Sequence, residues 1–462
     1  MTDPTRAASG PHTGFAYRRE QFQQMVEDTL ALAKKRGASD AGVEVSEGVG
    51  LSVSVRKGEL ENVERNRDKS LGVSVYLGQR RGNASTSDFS PAAIERTVQA
   101  AYDIARFTAE DPAAGLPDAD DLASAAEVAM ELDLFHPWAL SAEDAAVFAK
   151  RCEDAAFATS KRITNSEGAG VSAQQAHFWA GNSRGFRGGY ASSRHSFSVS
   201  PIAGRGRHMQ RDGWYSSMRA AGELAGPEAV GRYAAERALS RLGSRRVATA
   251  EVPVLFEAPV AAGLVGSYVG AVSGGSLYRK ASFLDGALGT PVFADHIDLD
   301  EEPHRRRGKG SAPFDDEGVR TRARRAVAGG VCQGYFLSSY SARKLGMKTT
   351  GHAGGPPNMR FTSRLTQPGD NLDAMLKKLG RGLFVTELMG QGVNGVTGDY
   401  SRGAAGFWVE GGRIVHPVHE VTIAGNLKTM YRDIVAIGAD VYEGGSRTLG
   451  SVLIGSMKLA GA

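Results

Sequence analysis

A chain of 462 residues, 41% of them hydrophobic, can bury a substantial core and divides into two or three domains. Its formal net charge is +4 with acids and bases interspersed, which argues against a dedicated nucleic-acid binder. Cys152 and Cys332 lie too far apart for a metal knuckle or a redox motif, and a reducing cytoplasm fits them.

Residues 1–17 are polar, carry Pro4, Gly10 and Pro11, and lack the apolar stretch of a secretory signal; they read as a disordered tail. Phe22, Val26, Leu30 and Ala33 then recur at helical intervals over Arg18–Arg36, and Gly37 ends that helix. Four alternating strands follow, Ala41–Ser46, Leu51–Arg56, Leu60–Arg65 and Ser70–Tyr76, with turns at Lys57-Gly58 and Gly78. Ser90 caps a second helix with Pro91 at its first position and Ile94, Val98, Ala101 and Ala105 on one face. Residues 18–107 are therefore expected as an N-terminal α+β domain, and the acidic, alanine-rich stretch 108–132 as a linker.

A helix over Ser141–Thr159 opens the expected middle domain, residues 133–245, which becomes β-rich and closes on a helix over Pro227–Leu242. Within it Asn165-Ser166-Glu167-Gly168 and Asn182-Ser183-Arg184-Gly185 read as matched turns between strands. The third domain, residues 246–462, starts with a strand over Val252–Phe256 and a helix over Val260–Val272. Pro253, Glu257 and Pro259 interrupt this apolar run, so a membrane span is not expected. The segment Asp298–Arg325 interleaves acids with Arg305-Arg306-Arg307 and Arg324-Arg325, and reads as a solvated loop and strand. The domain ends in a glycine-rich mixed sheet, giving an α+β, multi-domain fold class for the whole.

That glycine-rich end carries a resemblance. Asn394, Thr397-Gly398-Asp399-Tyr400-Ser401-Arg402-Gly403, Phe407-Trp408 and Thr422-Ile423-Ala424-Gly425-Asn426-Leu427 resemble the C-terminal signature of the TldD/PmbA metallopeptidase family. The run Gly274-Gly275-Ser276-Leu277-Tyr278-Arg279-Lys280 is similar to its PmbA (TldE) branch, and the likeness extends from Arg18 to the end. The resemblance implies a cytoplasmic complex in which a TldD-like partner holds zinc while this type of subunit completes a chamber for unfolded peptides. It also implies roles in proteolysis and peptide maturation, and some members are linked to regulation of DNA gyrase.

In the family's catalytic branch the resemblance implies an HExxxH motif on the helix that opens the C-terminal domain. Val265, Gly266 and Gly270 stand approximately where its two imidazoles and carboxylate would fall, and no histidine occurs between His208 and His296. No catalytic residue, metal ligand or cofactor is therefore expected in this chain. Gly263, Gly266 and Gly270 suggest instead a helix packed tightly against a neighbour. His416 and His419 are three apart on a strand, which points them to opposite faces, and the other histidines are dispersed.

Other motifs carry less. GxSxG at Gly181–Gly185 lacks the following helix of a nucleophile elbow, and GxGxxG at Gly390–Gly395 runs into Thr397-Gly398-Asp399-Tyr400 where a dinucleotide site needs a helix. Cys332, in a strand-like run without a readable base, is expected buried and inert. Glycine-rich loops beside a sheet edge suit an extended peptide added as a strand, with Asn394, Asp399, Tyr400, Arg402 and His419 as contacts to substrate or partner. The same residues can instead fix a loop through Asx turns and an ion pair. Two further readings stay open: a stand-alone peptidase with a convergent site, and a regulatory binding protein acting on a DNA enzyme. A homodimer of this chain alone is a further possibility.

Overall fold

In the computed structural model, which describes residues 14–461, the chain forms two units. One runs to Ala203 and takes in Arg211–Ala238; the other holds Gly204–Gln210 and Leu239–Ala462. Both mix helix with sheet, as an α+β chain should. Most of the expected tail, residues 1–13, lies outside the described residues, while the amides of Ala16 and Tyr17 donate to the Glu47 carboxylate at 2.8 and 3.1 Å.

The first unit is built on α1 (Arg19–Lys35), β1 (Asp40–Arg56), β2 (Glu59–Leu77), β3 (Arg80–Thr86) and α2 (Pro91–Phe107). After the stretch 108–132, which contains only a 3-10 turn and the one-turn helix Ala125–Val128, come α3 (Ala142–Thr159), β4 (Ile163–Asn182), β5 (Ala191–Ala203), β6 (Trp214–Met218) and α4 (Pro227–Ser240). An eight-stranded sheet runs in the order β3–β2–β1–β4–β5 through its centre, with β6 beside β5. Strand β1 pairs with both β2 and β4, so the segments expected as N-terminal and middle domains contribute strands to one sheet. Phe22, Val26, Val43, Val45, Leu71, Val73, Ile94 and Val98 bury against each other between the sheet and the first two helices.

Two expectations are corrected here. The four short strands are two long ones, joined by the expected hairpin turn, where Lys57 and Gly58 take φ of 52° and 77°. Glu47-Gly48-Val49-Gly50 stays extended because it is paired on both sides, Gly50 with Asn66 and with Gln174. A Cβ on Gly50 would lie 1.9 Å from the Gln174 side chain, so this glycine makes room for a cross-strand amide rather than a turn. Likewise Asn182–Gly185 is a turn, its Asn182 Oδ1 accepting from the Arg184 amide at 3.0 Å, whereas Asn165–Gly168 is an irregularity inside β4, with Gly168 at φ 112°.

The second unit opens with β7 (Ala250–Phe256) and α5 (Ala258–Ala271). A five-stranded sheet contains β8 (Ile297–Glu301), β9 (Arg324–Ala328) and β10 (Met359–Ser363). After α6 (Leu372–Leu379), strands β11 (Gly382–Met389), β12 (Asp399–Glu410), β13 (Arg413–Asn426), β14 (Ile434–Ile437) and β15 (Val452–Ala460) follow. They join β7 in the order β13–β12–β11–β7–β15–β14, and β13 also pairs with β15, closing the sheet into a barrel. Alternation along the strands serves two cores: Leu255, Phe384, Val409 and Leu453 meet α6, while Val254, Leu383, Val385 and Ile454 share the larger core with α5. The charged segment 298–325 is less solvated than expected, since Asp298, Glu301 and Asp315 are buried. Their cost is offset by specific partners: Glu301 takes Arg324 Nε and His352 Nε2 at 2.6 Å each.

Candidate functional site

Strands β11, β12 and β13 and the loop 390–398 carry the residues expected as contacts. The loop folds back on its own strand: the Ser401 amide donates to the Gly392 carbonyl at 2.6 Å, and Val393 bridges to Tyr400. Gly392 is required there, because a Cβ would meet the Ser401 carbonyl at 1.6 Å. Asn394 closes the loop from both ends: its amide donates to Asp399, its carbonyl accepts from Gly398, and its Oδ1 accepts from the Val396 amide at 2.9 Å. The exposed Asp399 carboxylate accepts from Thr397 Oγ1 at 2.6 Å and Asn426 Nδ2 at 3.0 Å, and these bonds hold its pKa below the ordinary aspartate value.

Tyr400 and Arg402 lie on the other side of β12 from Asp399, since odd spacing reverses the face. No ion pair joins Asp399 to Arg402 among the described residues. Tyr400 is 3% exposed within the larger core. Burial pushes its phenol up to about 12, against the opposing pull of the Arg402 guanidinium. Neither the Tyr400 hydroxyl nor Arg402 Nε finds a well-aligned hydrogen-bond partner among the described residues. His419 sits apart, where β13 bulges: Val418 faces Gly406 and Val421 faces Ala404, leaving one residue too many on β13. Its amide donates to the Arg245 carbonyl, its Nε2 is 3.9 Å from Glu420, and its buried Nδ1 is unpartnered among the described residues. The bulge is marked by Glu420 at φ 53°, held by an ion pair to Arg246.

The five residues thus fall into three places: a loop pinned by Asn394 and Asp399, a buried Tyr400 with the half-buried Arg402 on the same face, and a bulge at His419. Thr397 and Asn426, which are not among the expected contacts, complete the loop. Their signal was in the sequence, as an Asx-prone residue and a hydroxyl flanking Gly398 and Leu427, but partners 27 residues apart cannot be matched without the β12–β13 register.

Helix α5 corrects a further expectation. A Cβ at Gly263 or Gly270 would meet nothing within 4 Å, so these glycines face open space rather than a packed neighbour. The packed face is instead Ala261, Leu264, Val265 and Tyr268, pinned by the Tyr431 hydroxyl donating to the Leu264 carbonyl at 2.9 Å. At Gly266 the Arg447 guanidinium fills the side-chain space, 2.9 Å from where a Cβ would stand. Small groups beside a fixed cation do not fit a zinc site, which needs imidazole or carboxylate donors. Cys332 is fully buried and accepts from the Tyr268 hydroxyl at 3.4 Å. His195, His296, His304 and His352 each bond to their own neighbours, and no group of three or more His, Cys, Asp or Glu among the described residues could hold a metal.

Comparison with known proteins places this architecture. Profiles of the PmbA/TldA metallopeptidase domain 1, central domain and C-terminal domain match residues 41–105, 135–242 and 249–461. The chain belongs to the PmbA/TldD metallopeptidase family. Within that family it is 50% identical to metalloprotease PmbA of Escherichia coli O157:H7, covering 96% of this chain and 97% of that one. It is 45% identical to a PmbA homolog of Haemophilus influenzae, covering 96% of each. A crystal structure from Bacteroides thetaiotaomicron, named as a proposed modulator of DNA gyrase, superposes with a TM-score of 0.89 at 26% identity, over 96% of this chain and 100% of that one. TldE from Thermococcus kodakarensis shares the fold, with a TM-score of 0.81 at 17% identity over 95% of this chain and 100% of that one. No helix among the described residues is long and apolar enough to cross a membrane.

Proposed function

We propose that this chain is the non-catalytic, zinc-free subunit of a TldD/TldE-type cytoplasmic peptidase complex acting on unfolded peptides in proteolysis and peptide maturation. A TldD-like subunit supplies the zinc, and this chain completes the chamber and helps to hold substrate. The observation that carries the reading is α5: approximately where the resemblance implies an HExxxH motif in the catalytic branch, this helix offers Val265, Gly266 and Gly270, with Arg447 lying on Gly266. A guanidinium there opposes a divalent cation, and Gly266 has no carboxylate to activate water. Asn394, Asp399, Tyr400, Arg402 and His419 are the proposed contacts, the first two by shaping the loop 390–398.

Reconstitution tests this. The purified chain alone is incubated with an unfolded peptide, then with an added TldD-like subunit. The proposal predicts cleavage only in the mixture, and cleavage lost when the partner's zinc is chelated. Hydrolysis by this chain alone would overturn it.

A further inference from the structure

The first unit holds a cavity of about 340 Å³ that the peptidase reading does not use. Its floor is one face of the sheet, where pairing aligns two rows of side chains across β2, β1 and β4. Arg65, Leu51 and Ala173 form one row, and Arg67, Val49 and Gln175 the other. The first row continues on β5 to His195, and the Trp138 ring stands edge-on to that imidazole at 5.4 Å. Trp138 and Leu140 wall the cavity.

The cavity is therefore polarised. Two guanidiniums stand at its β2 end, Leu51, Val49 and Ala173 with the Gln175 amide make its floor, and an indole stands toward its far end. Among the described residues no carboxylate lines it. Arg67 donates to the Gly14 carbonyl at 2.7 Å, and among the described residues no carboxylate pairs with Arg65 or Arg67. Unneutralised arginines beside an apolar floor favour a ligand that brings an anion and an apolar body together, because each half meets its own complement.

We infer that this cavity binds a carboxylate carried on an apolar chain, with the carboxylate at Arg65 and Arg67 and the body over Leu51, Val49 and Ala173 toward Trp138. Strands lie ~4.8 Å apart, so the lined floor from β2 to β4 spans roughly 10 Å. That length suits a medium-chain fatty acid or the apolar C-terminal end of a short peptide, two sources of the same chemistry. The inference stands apart from the proposed function, since its residues lie in a different unit from α5 and the loop 390–398.

The test is calorimetric titration of the full chain with decanoate and with N-acetyl-leucyl-leucine, each against its uncharged amide. Saturable binding of at least one acid is expected, weakened at least tenfold by amidation and at least tenfold by Arg65→Ala, whose exposed side chain can be removed without unfolding the sheet. Whichever acid binds more tightly identifies the source. Absence of binding by both acids, equal binding of acid and amide, or unchanged binding in the Arg65→Ala protein overturns the inference. Ala173→Leu, which fills the floor while keeping both arginines, should abolish binding with circular dichroism unchanged; retained binding in that folded variant also counts against it.

Discussion

Gly392→Ala probes whether the loop 390–398 is fixed as described. The added Cβ would stand 1.6 Å from the Ser401 carbonyl oxygen, and backbone cannot yield as a flexible side chain would. Relief requires the loop to lift from β12. That breaks the bond from the Ser401 amide to Gly392 and loosens those from Asn394 to Asp399 and from Leu427 to Gly398, now 2.6, 2.8 and 2.7 Å long. At ~1 kcal/mol for each net bond, losing two or three lowers the local opening free energy by ~2–3 kcal/mol. Amide hydrogen exchange at Ser401 and Leu427 should accelerate on the order of 30- to 150-fold, at ~1.4 kcal/mol per tenfold. Gly395→Ala is the control: its Cβ would meet nothing within 4 Å, so the same amides should stay near wild-type rates. If Gly392→Ala leaves Ser401 and Leu427 as protected as Gly395→Ala does, the loop is not seated on β12 and the reasoning fails.

Tyr400→Phe removes a buried hydroxyl without a well-aligned partner and should change stability by no more than ~0.5 kcal/mol, whereas Tyr431→Phe loses a buried hydrogen bond to the Leu264 carbonyl and should cost ~0.5–1.5 kcal/mol in denaturant unfolding. Burial raises the Asp315 pKa from 3.8 to about 7, so the folded state binds this proton more tightly than the unfolded one. Its contribution is fully present below the unfolded pKa and falls as pH rises from about 4 to about 7; Asp315→Asn should flatten that part of the stability profile, read by urea midpoints against pH. Cys152 is raised to about 12 by burial, and Cys332 is fully buried. Both should resist a thiol reagent at pH 7 in the folded chain and react promptly in denaturant, and rapid labelling of Cys332 in the native protein would contradict its placement.

Much of the fold was legible where local chemistry decides it. Ser90-Pro91 and Ser141 start helices because a hydroxyl accepts an end amide, and Lys57-Gly58 turns because two adjacent residues adopt positive φ. Illegible features depend on distant partners. The break between the strands Ala41–Ser46 and Leu51–Arg56 vanishes once residues 47–50 pair on both sides, and Gly168 reads as a turn until its neighbours pair on both sides. Glycines along α5 suggest a tight contact by composition, yet only the fold shows Gly263 and Gly270 facing open space and Arg447 on Gly266. In the site, alternation alone separates Asp399 from Arg402. The bulge that isolates His419 arises from the pairing of β12 with β13, a register no single strand encodes.

The account rests most heavily on α5 carrying no zinc site. Metal analysis of the chain purified alone, and then of its complex with a TldD-like subunit, is the direct measurement. Zinc far below one ion per chain in the isolated protein, rising to one ion per complex, is the predicted result. One tightly held zinc per chain in the isolated protein, lost on mutation of its own side chains, would contradict the account.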